Sequence, residues 1–511
     1  MNSWPLLSVL TFLPLLGALL LAVFPLPTRA VVRSFAVGAL ALTALLMAKF
    51  DLGTSGLQFV EKAPWIPSLG VDYFVGVDGL SLLLVLLTAL LLPLAWEVAG
   101  PERTSERSFG ALFLLLQSAL FGTFTALNFI HWFLYWELGL IPAYFLIKLW
   151  GHDDRRGAAT QFFVYTFGGS IAMLVAMQAV YLTAGTFDLI QLRDLAATGE
   201  LARRLPERLT GWGPELRLLL FLGVFVGLAV KVPLFPFHGW LAPTYSSAPP
   251  SVTVLLTGAM SKMGVYGFLR ILLPLFPQET RTLLGPLVAL TVISLVFAAF
   301  AALAQTNLRR MLAYSSMNHL GYAVLGLLVA MDPAARANPG ASPAVTALAG
   351  AVLQLFNHGI TAGALFACVA LLERRLPQGS NLEHLGGLRA VAPVFAGLMG
   401  LSVFASLGLP GLNGFISEFL IFAGVFPLAP AAALLSLPGL LVSAWFLLNL
   451  MQRVFLGPAT PACRGFADLN VREIATLAPA LGIMLLLGVF PQVALMFLNP
   501  TIQGYLTRMA P

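Results

Sequence analysis

The stretch Lys231-Val-Pro-Leu-Phe-Pro-Phe-His238 decides the fold. Its lysine lies deep in a hydrophobic segment long enough to cross a bilayer, and two prolines interrupt the helix just after it. The chain has only five lysines, and Lys262 stands in the same kind of setting. Glu137 and Glu418 are likewise mid-segment. A charge at the bilayer centre costs about 2.5 to 3.5 kcal/mol on insertion scales, so each needs a neutral form, a water-filled cavity or a partner. Several in one chain point to a route for an ion across the membrane, with the proton as first candidate.

The rest of the composition agrees. In 511 residues, 59% are hydrophobic and 10% charged, with mean hydropathy +0.90, too little polar residue to coat a soluble globule. Apolar windows recur from Pro5 to Leu498, about fourteen of roughly 20 residues each, which predicts an all-α polytopic membrane protein. The longest polar gap, Gly185 to Gly213, reads as an extramembrane loop. The opening Met-Asn-Ser-Trp lacks the basic region of a secretory signal, and no clear cleavage site precedes Pro25, so Trp4 to Phe24 is expected to be the first permanent span.

A net charge of +6 would suggest nucleic acid in a soluble protein, but the basic residues sit at span ends, among them Arg29, Arg103, Arg155, Arg156, Arg309, Arg310, Arg374 and Arg375. Odd-numbered loops hold about 15 Lys and Arg against about 10 in the even ones, which predicts odd loops in the cytoplasm and both termini outside. Cys368 and Cys463 are solitary, so neither metal cluster nor disulfide framework is indicated. Redox chemistry is expected on partner chains.

Along the chain, spans three to seven are predicted at Asp78–Gly100, Ser108–Leu127, Phe129–Trp150, Ala158–Thr183 and Glu215–Trp240. Spans eight to eleven follow at Pro250–Leu273, Leu283–Leu303, Arg310–Ala330 and Val345–Leu372. Val391–Pro430 is too long for one span and is broken at Gly408-Leu-Pro-Gly-Leu-Asn-Gly414, ahead of Glu418. Spans thirteen and fourteen are expected at Ala432–Phe455 and Ile474–Leu498. Two Gly/Pro-broken segments in corresponding places mark an inverted-repeat transporter. That gives N-terminal helices in 1–107, a first five-helix repeat in 108–273, a second, inverted one in 282–456, and a C-terminal helix in 473–511, with helices seven and twelve broken.

The candidate chemistry lies in six or seven side chains. Glu137 has apolar or aromatic neighbours on both sides and cannot snorkel to either surface; otherwise it is a neutral acid bonded to a neighbouring helix. Lys231 and Lys262 are either proton carriers or static ties between helices, and Gly258 and Gly264 leave room beside Lys262. His319 and His358 are mid-membrane on neighbouring spans; each is either a satisfied polar contact or, titrating near neutrality, a proton link, the second reading being the weaker for His358. Glu418 is an exit station or a cap after the break, and His238, beside the first break, is a weaker candidate. Lys148, Glu97 and Glu373, at span ends, are expected to snorkel into the interface. Moving a carboxylate from about 4 to about 8 Å from an ammonium weakens their attraction by roughly 2 kcal/mol at an effective dielectric of about 20. A small helix shift therefore decides whether a lysine holds its proton. The expected path has Glu137 modulating Lys231, Lys262 and His319 in the middle, and Glu418 on the exit side.

These motifs resemble the antiporter-like membrane subunits of respiratory complex I, which share a fold with subunits of multisubunit cation/proton antiporters. The likeness covers nearly the whole chain and rests on Val77-Asp-Gly-Leu-Ser81, Tyr135-Trp-Glu137, Lys231 to Leu241, Ala248-Pro-Pro-Ser-Val252, Ser261-Lys-Met-Gly-Val-Tyr-Gly267, Ala313-Tyr-Ser-Ser316, His319-Leu-Gly-Tyr322 and Gly414-Phe-Ile-Ser-Glu-Phe419. Glu418 resembles the M-type branch, since L- and N-type relatives place lysine there. The resemblance implies fourteen spans, two inverted repeats and a proton path through Glu137, Lys231, Lys262, His319 and Glu418. It also implies L- and N-type neighbours in a bacterial inner membrane and no cofactor on this chain, with NADH, FMN, iron–sulfur clusters and quinone in partner subunits. Quinone reduction elsewhere would then drive proton movement here. One departure stands out: Trp240-Leu241 is followed by Ala242-Pro-Thr-Tyr-Ser-Ser-Ala248, where the family commonly carries an acid and a histidine. Tyr245 hydrogen-bonds but does not titrate near neutrality, which puts a proton-access role of that loop in doubt. The rival readings are a subunit of a sodium/proton antiporter or membrane-bound hydrogenase, and a proton-inactive scaffold.

Overall fold

The computed structural model describes residues 4–100, 103, 104, 106–208, 215–332, 343–376 and 379–508. The expectations for residues 1–3 and for the end of the polar gap at 209–213 lie outside them. Among the described residues, eleven helices are long and apolar enough to cross a membrane. Leu6–Val23 matches the expected first span.

Burial sorts these helices into an inner and an outer set. The apolar windows of Pro250–Leu275 and Pro343–Arg375 are entirely buried and that of Gly79–Val98 is 83% buried, whereas Thr28–Lys49 buries only 28%. Helices that are apolar all round belong in the interior of a bundle, so these three form its centre and the outer helices turn their apolar faces to lipid. Gly79–Val98 begins at Asp78, whose carboxylate accepts from the backbone N–H groups of Leu80 and Ser81, with the Ser81 hydroxyl returning to the Asp78 N–H. That capping satisfies donors no lipid would.

Both expected breaks are present. The helix Glu215–Lys231 stops at its lysine and the chain turns until Leu241–Ser247, since Pro233 and Pro236 supply no N–H to continue it. Pro393–Leu407 ends at Gly408, with φ +81°, and Gly411, with φ +91°, completes the reversal before Asn413–Leu428. The left-handed conformation at both positions favours glycine.

The structure departs from the sequence reading in four places. The segment before span three is an antiparallel hairpin, Gln58–Ile66 paired with Val71–Val77, so the molecule is mostly rather than wholly helical. Glu61 of the hairpin accepts the Leu7 and Ser8 N–H groups at the start of the first helix, at 2.8 and 3.2 Å. Lys62 lies 2.8 Å from Asp188 and 3.3 Å from Asp72 and is held above its ordinary pKa, chiefly by the hydrogen bond to Asp188. The polar gap holds two short helices, Leu189–Ala197 and Glu200–Arg208, rather than loop alone. The expected fourteenth span divides into Val471–Val489 and Gln492–Arg508, because Pro491 cannot donate where the ladder would continue. Finally, the span-end charges do not reach for solvent alone. Glu373 forms a buried ion pair with Arg309 at 2.5 Å, Glu97 binds Arg33 and Arg472, and Lys148 donates to the Tyr144 hydroxyl at 2.8 Å.

Candidate proton-carrying site

Lys262 is fully buried on the Pro250–Leu275 helix, between two π-helical turns, Leu256–Met260 and Phe268–Leu272. The first π turn has a chemical consequence. It carries the Ser261 N–H to the Leu256 carbonyl at 3.0 Å instead of the Thr257 carbonyl of a regular α-helix. The Thr257 carbonyl accepts the Lys262 ammonium at 2.5 Å and the Ser261 hydroxyl at 2.8 Å. The other partners of the ammonium are the Ser261 hydroxyl at 3.3 Å and His358 Nδ1, 2.8 Å away on the Pro343–Arg375 helix.

From His358 the array continues. Its ring lies 5.2 Å, centroid to centroid, from that of His319, the two rings tilted by 35°. His319 Nδ1 meets Glu418 Oε1 at 2.9 Å, and Nε2 meets the Ser406 hydroxyl at 3.1 Å. A carboxylate on Nδ1 fixes the proton there and leaves Nε2 to accept from the serine. All four titratable residues are at most 5% exposed. The second break supplies two of these groups, Ser406 before it and Glu418 after it. It is anchored by Asn413, whose amide donates to the Asn357 carbonyl at 3.1 Å while Asn357 donates back to the Asn413 carbonyl at 2.7 Å.

Lys231 belongs to a separate cluster. Its ammonium sits over the Trp136 ring, 4.9 Å from the centroid, a cation–π contact that replaces part of its lost hydration. Trp136 Nε1 donates to the Ser170 hydroxyl at 2.9 Å, and Glu137 lies beside Ser170 within electrostatic reach of Lys231. Among the described residues no direct salt bridge joins Glu137 to Lys231. Glu137 is half-buried on the flank of the bundle rather than enclosed. The two lysine helices touch at Gly264, where a side chain would overlap Val232, but no hydrogen bond among the described residues links Lys231 to Lys262.

The sequence-predicted residues thus fall into two groups, Glu137 with Lys231, and Lys262 with His319 and Glu418. His358, ranked below them, is the direct partner of Lys262. His238 is outside both, its ring stacked on Phe235 at 5.6 Å and tilted against Phe297 at 4.8 Å. Tyr245 is buried, with its hydroxyl facing Thr257 and Ser261, the residues that hold Lys262. Sequence reading missed Gln354, Asn357 and Thr361, which share one face of the His358 helix, and Ser417 on the facing helix. Gln354, Asn357, His358 and Thr361 recur at helical spacing in an otherwise apolar span, a signal that could have found them.

The family described as NADH:quinone oxidoreductase/Mrp antiporter, TM, matches residues 126–442, which include every residue of both clusters. An NADH-quinone oxidoreductase subunit M from Rhodobacter capsulatus is 36% identical over 513 residues, covering 97% of this chain and 95% of the relative. The chain belongs to this family. Membership makes it an antiporter-like membrane subunit of an oxidoreductase complex. A chain of respiratory complex I from Thermus thermophilus, 28% identical, superposes with a TM-score of 0.85 over 99% of this chain and all of that one. A chain of the Mrp complex from Dietzia sp. DQ12-45-1b superposes with a TM-score of 0.81 over both full lengths, at 21% identity. The second likeness is one of fold alone.

Proposed function

We propose that this chain translocates protons as the M-type subunit of a bacterial NADH:quinone oxidoreductase, driven by quinone reduction in other subunits. The observation that carries the reading is the buried run Lys262, His358, His319 and Glu418, in which proton donors and acceptors succeed one another across four helices. Glu137 acts on Lys231 by its charge from the flank of the bundle, where a neighbouring subunit can reach it. Glu418 is the exit station, and no redox group resides on this chain.

On this reading the chain crosses the membrane fourteen times, through the eleven long apolar helices together with Leu308–Val329 and the two broken segments. Residues 108–273 and 282–456 are inverted repeats, the arginine-rich end is cytoplasmic, both termini are outside, and L- and N-type subunits flank the chain in the inner membrane.

The test is NADH-driven proton uptake in proteoliposomes holding the purified complex, with Lys231→Ala in this chain. The expected result is reduced proton uptake per NADH oxidised in an assembled complex. Unchanged uptake would overturn the path. Recovery of the tagged chain without NADH-to-quinone activity, from membranes that retain that activity, would move the reading to a cation/proton antiporter.

A further inference from the structure

At the membrane end opposite the hairpin, four guanidinium groups converge on a cavity of about 210 Å³: Arg29, Arg33, Arg374 and Arg472. Two carboxylates line the same space, and both are engaged. Glu97 is held by Arg33 at 2.5 and 2.7 Å and by Arg472 at 2.6 Å, while Glu473 is taken by Arg375 at 2.6 Å. Arg374 stays 4.0 Å from Glu473, and Arg29 bonds the Thr104 hydroxyl at 2.9 and 3.1 Å. Among the described lining residues the cavity therefore carries an excess of positive charge at the height where the helices leave the membrane.

An apolar groove of about 320 Å³ continues from it, sharing Glu97, Arg472 and Thr476 at its mouth. Its walls are Leu40, Leu90, Leu94, Ile360, Ala480 and Ile483. Leu90 is seven residues from Glu97 and Ile483 is eleven from Arg472. At 1.5 Å per residue the groove runs about 10 to 16 Å inward along the helices, the depth of one leaflet's hydrocarbon. A cationic head site at the interface joined to an apolar slot of leaflet depth has the chemistry of a phospholipid carrying net negative charge. A free anion would leave the slot without an occupant, and a neighbouring apolar helix would leave the excess of arginine charge unmatched.

We propose that this cavity and groove bind one anionic phospholipid, phosphate among the arginines and one acyl chain between Gly79–Val98 and Val471–Val489. The groove's inner wall reaches Ile360, two residues from His358, but no residue of either lysine cluster lines the site, and the proposal does not depend on the proposed function. The experiment is native mass spectrometry of the delipidated complex carrying this chain, reloaded with phosphatidylglycerol or with phosphatidylcholine of the same chains. Wild type is expected to retain one phosphatidylglycerol that phosphatidylcholine does not replace. Arg29→Gln with Arg472→Gln should weaken it about thirtyfold, from about fivefold per interfacial arginine compounded over two. Ala480→Trp, which fills the slot and leaves every charge in place, should also lose it. Equal lipid counts in wild type and both variants would overturn the proposal. So would a photoreactive residue at Leu40 that cross-links a protein chain rather than phosphatidylglycerol. Because the readout is bound lipid, a failed proton path leaves the result intact.

Discussion

Replacing His358 separates a relay from a strut. Its Nδ1 lies 2.8 Å from the Lys262 ammonium in a fully buried site, and its ring is the group between that lysine and His319. A hydrogen bond to a charged group contributes about 1.5 to 3 kcal/mol. If His358→Leu removes that much from the configuration through which the proton passes, at about 1.36 kcal/mol per decade the step slows roughly ten- to hundredfold. His358→Gln is the decisive companion, because its amide oxygen still accepts from Lys262 but cannot take up and release a proton. The assay is proton uptake into proteoliposomes, measured per NADH oxidised, with thermal stability of the purified complex recorded alongside. A relay predicts that both variants lose this chain's share of uptake while the Gln variant keeps wild-type stability. Wild-type uptake by His358→Gln would refute the relay and leave the histidine as a tie for Lys262.

Three further outcomes follow from the structure. Glu418→Gln keeps an acceptor 2.9 Å from His319 but removes the charge, so uptake should fall while assembly, judged by native gel, stays intact. Glu373→Ala strands Arg309, which also donates to the Ser246 and Ala248 carbonyls; breaking a buried pair of this kind costs about 3 to 5 kcal/mol, to be seen as a lowered Tm and poor incorporation into the complex. In the loop before Val471, Asp468 accepts from the Val394 and Phe395 N–H groups at 2.9 Å and caps Pro393–Leu407. Partial burial pushes its pKa up, but these N–H groups and that of Leu469 outweigh burial and hold it below the usual carboxylate value. A depressed folded pKa means that the stabilisation is present above the unfolded value, near pH 4, and fades as pH falls through the folded one. Asp468→Ala should therefore cost about 1 kcal/mol at pH 7 and progressively less below pH 4; a Tm difference independent of pH across that range would contradict the charge assignment.

What could be read in advance depended on whether the determinant was local. Apolar windows and Gly/Pro breaks are local, so the spans and both interruptions were legible to within a few residues. Buried charges advertise themselves by their cost, which is why Glu137, Lys231, Lys262 and Glu418 stood out. Their partners did not. Lys262 meets a histidine 96 positions away, and only the packing of two fully buried helices makes that contact. The hairpin escaped notice because Gln58–Ile66 holds Glu61, Lys62 and Pro64 and is mostly solvent-facing, so period-2 burial never shows in its composition. The π turns were equally silent, since an apolar run of one composition serves either ladder. Pro491 was visible but lay inside a run long enough to pass for one span.

The buried charges are held by different devices, and the difference bears on which of them can pass a proton onward. Lys231 is the last residue of its helix, where the backbone dipole favours a cation, and its ammonium rests on Trp136. Glu418 stands in the second turn of Asn413–Leu428, past the reach of the N-terminal dipole, and depends on His319. Lys262 has a carbonyl freed by a π turn and a histidine. A helix end or an indole face can hold a charge but cannot accept a proton, so on the proposed path the Lys231 cluster would keep or lose a charge in response to Glu137. In the second cluster every neighbour in the run is titratable. A proton leaving the Lys262 ammonium for the Glu418 carboxylate crosses two imidazoles and removes a positive and a negative charge together, so the net charge of the buried cluster never changes. That is the cheapest form of charge movement in a low-dielectric interior, and on the proposed path it would account for an acid and a base at opposite ends of one cluster rather than paired directly.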